Sequence, residues 1–96
     1  MQDPVEAFVD ESLERSLAKG YPATRFREMR QQMGTREAMR KLAESDVLQS
    51  GLKELMRIGL LQWSVEAGVL KFPDAFPSRL TRESARFKLE QVHLPG

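Results

Sequence analysis

Along most of the stretch from Val5 to Val92 the apolar side chains of this chain return every three or four positions, and no segment combines sustained alternation with the β-branched richness of a strand. A return near 3.6 residues puts side chains on one face of an α-helix, whereas a half-buried strand needs a period of two. The expected fold class is therefore all-α: a compact irregular or orthogonal bundle of five to six short helices, one domain over residues 1–96, with a frayed tail at 93–96. A chain of 96 residues buries somewhat over ~60% of its unfolded surface, enough for one core. Apolar residues make up 41% of it, with five Phe, one Trp and one Tyr, so no metal or disulfide is needed to offset chain entropy.

The helix limits are written in caps and breakers. Asp3 and Pro4 start a first helix that runs to about Lys19, with Gly20 as its stop and Val5, Phe8, Val9, Leu13 and Leu17 as its apolar stripe. A second starts near Pro22 or Ala23 and ends before Gly34, with Phe26, Met29 and Met33 on one face. Thr35 caps a third, which buries Ala38, Met39, Leu42 and Ala43, pairs Glu37 with Lys41 and ends near Glu44 to Asp46. The fourth runs from Val47 or Ser50 to Arg57 before Gly59, with Leu48, Leu52, Leu55 and Met56 on one face and Gly51 blurring its start. Ser64 caps a short fifth helix from Val65 to about Lys71. The two prolines of the next segment pin Phe72 and Phe76 onto the core. Thr81 caps the last helix, which runs to Gln91 or Val92 with Ala85, Leu89 and Val92 inward.

Four stretches together carry a resemblance: Y-P-A-T-R-F at Tyr21 to Phe26, G-T-R-E-A at Gly34 to Ala38, S-G-L-K-E-L at Ser50 to Leu55, and L-L-Q-W-S-V-E at Leu60 to Glu66. Over about residues 13–90 the chain resembles a small helical module of bacterial proteins, found alone or appended to other domains. The resemblance implies a helical fold and a bacterial origin and carries no catalytic residue over. Gly68 departs from it, standing where a larger apolar residue is expected, so the fifth helix is where the packing should differ.

Chemistry is scarce. There is no cysteine, which removes disulfides, thiolate metal sites and a cysteine nucleophile. The one histidine, His93, has no ligand or catalytic partner at a useful spacing, and no Gly-rich phosphate loop is present. Neither a metal nor a cofactor is expected, nor an enzymatic activity. Glu66 reads as a first-turn carboxylate stabilised by free backbone N–H groups rather than as a buried acid. Met29, Met33, Met39 and Met56 read as core filler.

Charge is unevenly spread although the net value is +1. Asp3, Glu6, Asp10, Glu11 and Glu14 open the chain without a basic residue, unlike a targeting segment, and no apolar run nears the ~20 residues that cross a bilayer, so a cytoplasmic protein without membrane contact is expected. Arg25, Arg27, Arg30, Arg36, Arg40 and Lys41 then crowd two consecutive helices. They invite a helix-turn-helix, but Arg30 and Arg40 stand about four before and six after Gly34, where tight crossing wants small and apolar residues. A solvated face paired partly with the acidic first helix is the simpler account.

Two functions follow as expectations. The first is a non-enzymatic interaction or accessory module that binds a protein partner or itself, through those basic helices or a surface near Trp63 and Phe76. The second is a nucleic-acid-binding accessory domain whose six basic residues contact phosphates.

Overall fold

The computed structural model describes residues 2–45 and 50–93, and among them it is all-helical. Helices α1 (Pro4–Ala18), α2 (Thr24–Met33), α3 (Thr35–Glu44) and α4 (Ser50–Arg57) are followed by a single 3-10 turn (Leu61–Trp63), α5 (Val65–Lys71) and α6 (Arg79–His93). The expected start at Val47, end at Asp46, inward Leu48 and tail beyond His93 lie outside the described residues. α6 continues through His93, past the expected end.

Local capping explains several limits. The Asp3 carboxylate accepts from the Val5 N–H at 2.8 Å, and the Ser64 hydroxyl accepts from the Ala67 N–H at 3.0 Å. Between α2 and α3 there is only Gly34, at φ +89°, so one residue with left-handed freedom turns the chain. That link is shorter than the three- to four-residue turn of a helix-turn-helix.

Two expected caps are not caps. Thr35 is already helical, and its hydroxyl accepts from Arg30 Nε at 2.8 Å. Thr81 sits in the third position of α6, 1% exposed, and donates to Glu44 Oε2 at 2.6 Å. In both cases a distant partner satisfies the hydroxyl and the helix starts earlier. Glu37 binds Arg40 rather than Lys41.

α3 is the central helix, packing on α1, α2, α5 and α6. Met39, Ala38 and Ala43 are fully enclosed, and Val5, Phe8, Val9, Val69, Phe76 and Ala85 close around them. The radius of gyration, 12.4 Å, equals the ~12.5 Å of a compact chain of this length. Gly68 explains its own departure from expectation. A Cβ there would stand 2.7 Å from the Phe8 ring and 2.9 Å from the Met39 methyl, so its absence lets α5 press against α1 and α3.

The outer limits of two apolar stripes need correction. Leu17 is 55% exposed while Ser16 is buried. At 100° per residue Leu17 lies roughly 100° from the centre of the face that Val5, Val9 and Ser16 share. Met56 is likewise exposed. No helix among the described residues is long and apolar enough to cross a membrane.

Candidate functional site

A cleft of about 440 Å³ opens between α1, α2, α3, α4 and the turn that leads into α5. That volume lies within the range of pockets that hold small groups, ~300–1,000 Å³. Space is left by small residues. Ser12 and Ser16 interrupt the apolar inner face of α1, and Gly51 lets the Tyr21 hydroxyl rest where a Cβ would collide with it.

The walls are tied down by polar contacts. Ser12 Oγ donates to the Trp63 carbonyl at 2.6 Å, and Ser16 Oγ to the Leu13 carbonyl at 3.2 Å. Trp63 stacks on Phe8 at 5.2 Å between centroids and 26° between planes, and the Arg15 guanidinium lies 4.6 Å from its ring centroid. These contacts hold Trp63 by its backbone and its face. Tyr21, half-buried on the wall, has its hydroxyl pKa raised from 10.0 by burial first and the Glu54 charge second.

Glu66 stands at the floor. It occupies the first turn of α5 as expected but is only 5% exposed, so it is a buried acid after all. Burial pushes its carboxyl above the ordinary 4.5, against the pull of its own backbone N–H and of Lys88. Lys88 Nζ lies 3.8 Å from Glu66 Oε2 and donates to the Leu42 carbonyl, at 4% exposure. Glu66 and Lys88, the latter not itself lining the cleft, thus form a compensated pair of charges that joins α5, α6 and α3. Sequence reasoning missed Lys88, although its place between Ala85 and Val92 on the inner face of α6 was the available signal.

The basic residues of α2 and α3 are mostly engaged within the chain. Arg30 pairs with Glu6 and Asp10 of α1 at 3.2 and 2.9 Å, and Arg36 with Asp3 at 3.0 Å. Arg40 binds Glu37 and Glu44 on its own helix, and Arg27 donates to the Pro22 carbonyl at 2.7 Å. Lys41 is exposed. Arg25 is exposed at the mouth of the cleft, with no ion pair among the described residues. Of the two aromatic candidates, Trp63 borders the cleft at intermediate burial, whereas Phe76 is 3% exposed and belongs to the core rather than to a surface. Among the described residues no group of three His, Cys, Asp or Glu side chains could hold a metal ion. Comparisons with protein-family models, with curated proteins and with solved structures give no match for this chain.

Proposed function

We propose that this chain is a non-enzymatic interaction module that takes a large apolar side chain of a protein partner into the cleft between α1 and α4, with an acidic residue of the same segment against Arg25. One observation carries the reading: a concave, mostly apolar site bordered by Trp63, Tyr21, Phe26 and Leu55, with an arginine at its mouth that has no ion pair among the described residues. Aromatic walls with a few placed polar or charged groups are the usual make-up of a pocket that accepts an interface hot spot. The nearby hydroxyls of Ser12 and Ser16 are spent on backbone carbonyls, and Glu66 faces Lys88. Placement in the cytoplasm of a bacterium, and kinship with the appended helical modules, belong to the same proposal.

The alternative, a nucleic-acid-binding accessory domain, loses support from the ion pairs of Arg30, Arg36 and Arg40, which set those charges against this chain's own acids. Selection from a random peptide library on the immobilised protein tests the preferred reading. The expected consensus is a large apolar residue within a few positions of Asp or Glu, its affinity reduced at least tenfold by Arg25→Glu and lost in Leu55→Arg. Selected peptides indifferent to both substitutions would refute it.

A further inference from the structure

Helix α6 (Arg79–His93) has a second apolar face that stays largely exposed. Thr81, Ala85 and Lys88 point into the protein, whereas Leu80 and Phe87 are 63% and 61% exposed. Ser84 and Gln91 complete the row 80, 84, 87, 91, which at 100° per residue falls within a band of roughly 60°. Two large apolar residues, more than half exposed and one above the other on a helix, form a stripe that a partner helix can cover.

Beside that stripe runs a flank of four exposed charges, Arg79, Glu83, Arg86 and Glu90. Their order identifies the partner. When two copies of α6 lie antiparallel and cross at Ser84, with the centre between positions 84 and 85, residues equally far from that centre stand level, so the flank meets itself reversed. Arg79 then stands near Glu90 of the second copy, and Glu83 near Arg86. Leu80 of each copy comes against Phe87 and Gln91 of the other, and Ser84, the smallest residue of the row, occupies the crossing. In a two-fold parallel pair the two flanks would instead lie on opposite sides of the contact, and these charges would not find one another. Within one copy Arg79 Nε meets Glu83 Oε1 at 2.9 Å, but the side chains are 84% and 55% exposed, so that pair is free to exchange.

We propose that the chain forms a two-fold homodimer through an antiparallel pairing of α6 about Ser84. The contact uses the same patch on both copies, as a closed two-fold interface requires. It is independent of the cleft, so either can fail without the other. One helix pair makes a small interface, and the expected dissociation constant is weak, on the order of 10–100 µM.

Sedimentation equilibrium from 5 µM to 1 mM tests it. The expected result is a mass rising with concentration from 11.0 kDa toward twice that. Phe87→Glu should hold the protein monomeric throughout. Glu83→Arg alone and Arg86→Glu alone should each weaken association about tenfold, and Glu83→Arg with Arg86→Glu should restore it. All three positions are exposed, so the helical circular dichroism of each variant should equal that of the parent. A monomer at 1 mM, a dimer indifferent to Phe87→Glu, or a double variant no better than the single ones would overturn the proposal.

Discussion

Lys88 and Glu66 are the residues whose burial runs most strongly against their chemistry, and their energetics are a pair property. Removing one partner strands the other charge. Lys88→Met should therefore cost about 3–5 kcal/mol in urea unfolding, whereas Glu66→Leu combined with Lys88→Met should recover most of that loss. The raised Glu66 carboxyl also fixes a sign. A group that holds its proton more tightly when folded favours the fold below its unfolded value, near 4.5, and loses that contribution as pH rises through the folded value. The stability of the parent relative to Glu66→Gln should thus fall as pH is raised from about 4.5 toward neutrality. Asp3 behaves oppositely: the Val5 N–H and Arg36 hold it below 3.8, so its contribution disappears as pH falls through that lowered value. Gly68→Ala should destabilise by about 1–2 kcal/mol, since overpacking against the Phe8 ring outweighs the better helix propensity of alanine.

At the scale of elements, what was legible in the sequence was what local physics decides. Asp3 and Ser64 cap the helices they were expected to cap, and Gly34 and Gly59 lie beyond the helix ends they mark. Ser64→Ala should cost about 1 kcal/mol in the same unfolding assay, and Ser64→Gly only a few tenths. Thr35 and Thr81 misled because a hydroxyl at a helix start looks the same whether it serves a backbone N–H or a residue brought in by the fold. Arg30 and Glu44 are such residues, five and 37 positions away. Leu17 and Phe87 follow helical spacing, but the neighbours that would cover them come from other elements, or from outside the chain. Ala23 holds a left-handed backbone at φ 50°, unusual without glycine, and nothing in its sequence neighbourhood indicated that.

Across the whole molecule the acidic start and the basic second quarter are partly matched, since Asp3, Glu6 and Asp10 face Arg30 and Arg36. The cleft could not be read from the sequence, because its walls come from positions 8 to 66 and exist only once α1, α2, α3 and α4 are packed. The internal pairing predicts that anisotropy of labelled duplex DNA stays flat at both low and physiological salt; six free phosphate contacts would instead give affinity falling by ~10³ between them. The central claim is that the cleft receives an apolar group while Arg25 at its mouth meets a neighbouring negative charge. The most direct measurement is a titration with anilinonaphthalene sulfonate, an apolar ring system with one anionic group, followed by ¹H–¹⁵N chemical shifts and Trp63 fluorescence. The account predicts one saturable site, with shifts centred on Ser12, Tyr21, Arg25 and Trp63, and binding weakened by Arg25→Glu. Absence of saturable binding, or shifts gathered on α6 with the cleft unmoved, would contradict it.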